Sequence, residues 1–157
     1  MLPYRHTQIG WVTLIALAVP ALAALGIKDL VAEEAGPSVV WLLSGFIGLM
    51  AVLMVLFGSL TVDVDSERIR IRFGPGFISK RWFLSHVESA EVIRTRIWHG
   101  WGIHLTPQGW LYNVSGFDAV RISLASGKSK LVGTNEPDQL VGALRAAGVP
   151  DSGDQNK

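Results

Sequence analysis

The chain opens on continuous apolar sequence and then changes to alternation. Ile9 to Ile27 is a run of 19 residues without a charged side chain, and Val39 to Leu60 is a second of 22. At about 1.5 Å per residue, each is long enough to cross a hydrocarbon layer of about 30 Å as a helix. Two spans are therefore predicted, over about residues 9–27 and 39–60, forming a hairpin across residues 1–60. Lys28 to Ser38 (KDLVAEEAGPS) joins them, with the Gly36-Pro37 pair as breaker. Trp11 and Trp41 stand near the starts of the runs, where an indole settles at the membrane interface. Pro20 predicts a kink, and Ser44 with Gly48 offers a small face for close helix approach.

Lysine and arginine asymmetry sets the orientation, because cytoplasmic flanks keep positive charge during insertion. Arg68, Arg70, Arg72 and Lys80 follow the second run closely, whereas the connecting loop has only Lys28. Both termini are expected in the cytoplasm and the loop 28–38 outside, in the inner membrane. A competing reading takes Ala21-Leu22-Ala23 as the cleavage site of a signal peptide, which leaves one span and the same domain inside.

Beyond Leu60 the period becomes two. Thr61 to Asp65 alternates, Ser66-Glu67 turns, and Arg68 to Phe73 alternates again, which predicts a hairpin with Ile69, Ile71 and Phe73 inward. Gly74-Pro75-Gly76 stops that strand. Further strands are predicted over Phe77 to Leu84, Val87 to Thr95, Gly102 to Thr106, Trp110 to Val114, Ala119 to Leu124 and Lys130 to Gly133. Asn135, Pro137 and Asp138 open a helix whose stripe is Leu140, Val141 and Leu144, and Gly148 with Pro150 ends it. The soluble domain covers 61–148, and 149–157 reads as a disordered tail.

The segments VDVDSERIRIRFGP, KRWFLSHVESAEV and GWGIHLTPQGWLYNVSGFDAVRISLASGKSKLVGTNEPDQLVGAL resemble the bacterial pleckstrin-homology-like domains of small membrane proteins. The resemblance implies a strongly bent β-barrel of about seven strands, plugged by the C-terminal helix and serving as a binding or assembly module. It does not bring phosphoinositide specificity, because the last helix lacks a Trp and the basic residues do not follow that pattern.

Composition narrows the chemistry. Charged residues make up 17% of the chain against about 25% in an ordinary soluble domain, as expected for a membrane protein. The absence of cysteine removes disulfides, thiolate metal sites and Cys nucleophiles, and a net charge of +1 argues against a nucleic-acid binder. His99 and His104 lack a third metal ligand, and Asp63, Asp65 and Glu67 lack the glycine and closing glutamate of a calcium loop. No nucleophile, phosphate-loop or metalloprotease motif occurs, so neither an enzyme nor a cofactor is expected.

Two surfaces remain as candidates. Arg68, Arg70 and Arg72 project from one face of a strand close to the membrane, and Lys80 and Arg81 extend the patch across the next turn. Such a face suits anionic lipid headgroups, and it equally suits a solvated strand paired with Asp63, Asp65 or Glu67. Trp98, Trp101, Trp110 and Tyr112 concentrate aromatic surface that either grips a protein partner or fills the core. The expected partners are the bilayer and a protein or a second copy of the chain.

Overall fold

The computed structural model describes residues 3–95 and 102–150. Both apolar runs are helices, α1 (Trp11–Ala35) and α2 (Pro37–Phe57), with mean hydropathies of 2.0 and 2.6 over their candidate spans. Ile15, Leu22, Leu42 and Val52 stand more than half exposed, and no residue of α2 is buried. A helix apolar on every side is one that lipid solvates. The first helix continues through Lys28, Asp29, Glu33 and Glu34 because Ala, Leu, Glu and Lys favour helix once outside the apolar layer. The connecting loop thus contracts to Gly36, at φ +74°, followed by Pro37 in the first turn of α2. Ser44 spends its hydroxyl on the Val40 carbonyl at 2.8 Å, and a methyl group on Gly48 would meet nothing, so these residues create no close helix approach.

Nine strands are described, in two sheets that do not close into a barrel. The first sheet is an antiparallel meander of β1 (Tyr4–Ile9), β2 (Ser59–Val64), β3 (Arg68–Phe73) and β4 (Ile78–Phe83). The second runs in the order β5 (Val87–Arg94), β8 (Asp118–Leu124), β9 (Ser129–Gly133), β7 (Gly109–Asn113) and β6 (Gly102–Thr106). Its β7 and β9 are parallel, because the β8–β9 hairpin inserts between β5 and the β6–β7 hairpin. The expected seven-stranded barrel is corrected on both counts. An additional strand precedes the first helix, and no ladder joins β4 to β6 or β7. At that seam Trp82 of β4 leans on Tyr112 of β7, with ring centroids 5.7 Å apart.

The core lies between the sheets. Leu60, Ile69, Ile71 and Phe73 meet Val120, Ile122 and Val132, and α3 (Pro137–Ala146) adds Leu140, Val141 and Leu144. Phe57 at the end of α2 packs edge-on against Phe73 at 5.8 Å, so the second span runs directly into this core. Beyond α3, Val149 is buried and donates its amide to the Leu144 carbonyl at 3.0 Å, with Gly148 at φ +94° making the turn.

β1 ties the start of the chain to the domain. Tyr4 pairs with Val64 and Ile9 with Ser59, so the segment before the first span and the segment after the second share one sheet. Gln8 donates to the Ser115 carbonyl at 2.9 Å and Thr13 to the Val114 carbonyl at 2.7 Å, fastening the start of α1 to the β7–β8 loop. His6 lies 2.7 Å from Asn135 Oδ1 through Nε2 and 3.2 Å from Glu136 through Nδ1.

Candidate functional site

Period-two geometry sorts the basic residues of the first sheet. Arg5, Asp63, Arg70 and Arg81 are cross-strand neighbours in one row on its outer face, and Thr7, Thr61, Arg72 and Ser79 form the next row toward α2. The turn after β3 packs on the end of α2. Gly74 donates to the Ser59 carbonyl at 2.9 Å, and a Cβ at Gly74, where φ is +47°, would fall on the Val55 carbonyl. Only glycine fits there.

The five basic residues singled out in the sequence do not act alike. Arg68 lies at the far end of β3 and turns back to Asp65 at 3.2 Å. That carboxylate also accepts the amides of Glu67 and Arg68 at 2.8 and 2.9 Å, and these backbone bonds hold its pKa below the ordinary value. Arg72 binds Asp63 at 2.8 Å, and Arg5 approaches the same carboxylate at 3.4 Å. Arg70 and Arg81 face each other across the β3–β4 ladder, and among the described residues neither has a carboxylate within salt-bridge distance. Like charges directly opposite each other cost stability. Arg70, Arg72, Gly76, Ser79, Lys80 and Arg81 line a shallow groove of about 520 Å³ on this face.

Lys80, next to Arg81 in sequence, starts from the other face, because it pairs with the inward Ile71, and its exposed side chain borders the first groove as well. On the inner face it joins a second groove, of about 480 Å³, with Trp82, Ile103, Trp110, Tyr112 and Lys130. Burial, and then the neighbouring Lys128 and Lys80, pull the Lys130 pKa down. Tyr112 is buried, and that burial raises its pKa, while Trp110 stays 42% exposed at the rim. Trp98, Trp101 and His99 lie outside the described residues. Trp82 was not singled out in the sequence, although its i+2 relation to Lys80 places both on one face.

The remaining polar groups of interest gather around β1. The Tyr4 hydroxyl is buried beside Thr134 and Glu136 without a well-formed hydrogen bond, and desolvation first, then the Glu136 charge, pushes its pKa up to about 12. No group of three His, Asp or Glu residues that could hold a metal ion occurs among the described residues. Compared with known proteins, the chain matches no family model and no curated relative.

Proposed function

We propose that the chain is a non-enzymatic integral protein of the cytoplasmic membrane whose cytoplasmic domain binds a protein partner, assembling it at the membrane surface. The observation that carries this reading is the groove beside the seam of the two sheets, where Trp82, Trp110 and Tyr112 gather aromatic surface between Lys80 and Lys130. Trp110 is partly exposed there beside the half-buried Trp82, and Trp and Tyr are enriched in protein-binding surfaces. The ties from Gln8 and Thr13 to the β7–β8 loop support it, since they hold the groove at a fixed height above the bilayer. The test is photo-crosslinking from position 110 in the full-length protein in its native membrane. A discrete protein adduct from position 110, absent from the equally exposed Val92 on β5, is the expected result. Adducts with lipid alone, or equal adducts from both positions, overturn it.

A second reading, anionic-lipid sensing, is favoured by Arg70 and Arg81, which line one groove and have no carboxylate within salt-bridge distance among the described residues. Each basic group near an anionic surface contributes about 1 kcal/mol. It predicts that phosphatidylglycerol copurifies with the full-length protein and is lost in the double variant Arg70→Gln, Arg81→Gln. Equal lipid retention by both proteins counts against it.

A further inference from the structure

The backbone of β4 offers more than its side chains. The Gly74 amide reaches the Ser59 carbonyl on β2, and the Arg68 carbonyl accepts from Asp65. Alternation along β3 therefore turns the peptide groups of Ile69, Ile71 and Phe73 toward β4, where their partners are Trp82, Lys80 and Ile78. The amides and carbonyls of Ser79, Arg81 and Phe83 are left facing away from β3. Among the described residues no strand lies beyond them, because β4 ends the order of its sheet, and the side chains of all three are exposed. Such an edge is a template for another strand.

The surroundings of the edge select what can bind. Three shallow grooves flank this one strand. The first runs along Ser79 and Arg81 on the outer face, the second along Lys80 and Trp82 on the inner face, and the third past Phe83, His86 and Leu124 at the far end. Among the described residues, Arg70, Arg81, Lys80, Lys128 and Lys130 have no carboxylate within salt-bridge distance. Lys80 and Arg81 stand on the edge strand itself, with Arg70 on β3 and Lys130 on β9 lining the grooves beside it. A second copy pairing edge to edge would bring Lys80 and Arg81 against their own counterparts, a like-charge arrangement that opposes self-pairing.

We propose that the open edge of β4 receives an extended acidic segment of a partner protein as an added strand. The segment alternates acidic side chains, toward Arg70 and Arg81, with apolar ones that settle against Trp82 and Ile103. Its main chain pairs with Ser79, Arg81 and Phe83, while the alternating side chains supply specificity. This rests on the protein-partner reading and deepens it, since strand addition is one of several ways in which the groove could hold a protein.

The test uses the full-length chain in nanodiscs of phosphatidylcholine. The probe is a short synthetic peptide alternating glutamate with valine. Its controls are a lysine-for-glutamate version and one N-methylated at the amides that would face β4. Binding of the glutamate peptide is expected, with slowed hydrogen exchange at the amides of Arg81 and Phe83. The lysine version, the N-methylated version and the double variant Lys80→Glu, Arg81→Glu should each lose about tenfold or more in affinity. Charge-dependent binding that ignores N-methylation overturns strand addition and leaves the partner-binding groove standing. Absence of binding by the glutamate peptide overturns strand addition too, and the position-110 crosslink then decides the broader reading separately. Displacement of the peptide when phosphatidylglycerol enters the disc assigns the arginine face to lipid and overturns the proposal.

Discussion

Gly10 donates its amide hydrogen to the carbonyl of Gly58 at 2.8 Å, which ties the residue before the first span to the residue after the second. The bond continues the β1–β2 ladder to the very ends of the two helices. Both glycines sit where a side chain has no room. A Cβ on Gly10 would lie 2.9 Å from Val114 Cβ and 3.0 Å from the Val114 carbonyl, and one on Gly58 would strike the Met54 carbonyl. The helical hairpin and the domain therefore meet through backbone contact.

Gly10→Val should break this junction. Forcing a branched side chain against Val114 is an overpacking change of about 1–3 kcal/mol. Thermal unfolding of the full-length protein in detergent should show a lowered midpoint, together with faster hydrogen exchange in β1. An unchanged midpoint would mean that the Val114 loop yields freely.

The shared sheet also fixes sidedness. Because β1 pairs with β2, the two strands lie on one side of any membrane that the helices cross, and Glu33 near the end of α1 lies on the other. The chain has no native cysteine, so engineered thiols report without background. Glu33→Cys should react with an impermeant maleimide added outside intact cells, and Ser66→Cys only after permeabilisation. Labelling of both from one side would overturn the two-span arrangement.

Some of this architecture is legible in the sequence and some is not, for physical reasons. The helices announce themselves by length, and β2 and β3 by strict alternation. β1 does not, because its inward positions are Tyr4, His6 and Gln8, and His6 and Gln8 find partners only after folding brings Asn135, Glu136 and Ser115 to them. The alternate arginines read correctly as one face of a strand. Adjacent Lys80 and Arg81 read as one patch, and both line the groove of Arg70 and Arg72, while the pleat also brings Lys80 to the aromatic groove. That β4 is an edge depends on strand order across both sheets, which no local pattern encodes.

Tyr4 gives a pH test of the β1 contact. Its folded pKa is raised from 10.0 to about 12, so the folded state holds the phenol proton more tightly than the unfolded chain does. The stabilisation from this group is complete below pH 10 and is lost as pH rises through the folded value of about 12. Tyr4→Phe removes a buried hydroxyl that makes no well-formed hydrogen bond, so its stability at neutral pH should equal or exceed that of the parent. In the alkaline range the variant should lose less stability than the parent. Lower stability of the variant at neutral pH would show that the hydroxyl has a partner, and an alkaline loss as steep as the parent's would show that its folded pKa is not raised.

Gly133 marks a tight point of the second sheet. A Cβ there would fall on the amide of Asn113, which is fully buried and bonds Gly116 and Ser115 through its side chain at 3.1 Å. Gly133→Ala must displace that amide or the β7–β9 pairing, a loss of about 1–3 kcal/mol. The double variant with Asn113→Ala should recover part of the overpacking cost, because the obstructing atoms are gone. Strict additivity in a double-mutant cycle would show that the two sites do not touch.

Arg81→Glu separates stability from binding. In the parent, Arg81 opposes Arg70 across the ladder, and the nearest carboxylate in that row, Asp63, is already engaged by Arg72 and Arg5. Glutamate at position 81 turns a repulsive cross-strand pair into an attractive one, a gain of about 0.2–1 kcal/mol that salt should weaken. Thermal unfolding in neutral nanodiscs should therefore show a small rise in midpoint at low salt that shrinks at high salt. The same variant should bind acidic peptides and anionic lipid less well. A protein that becomes more stable while binding less has kept Arg81 at a cost to its fold, as a residue kept for a ligand does. If stability falls instead, Arg81 has a structural partner, and the positive edge of β4 belongs to the fold.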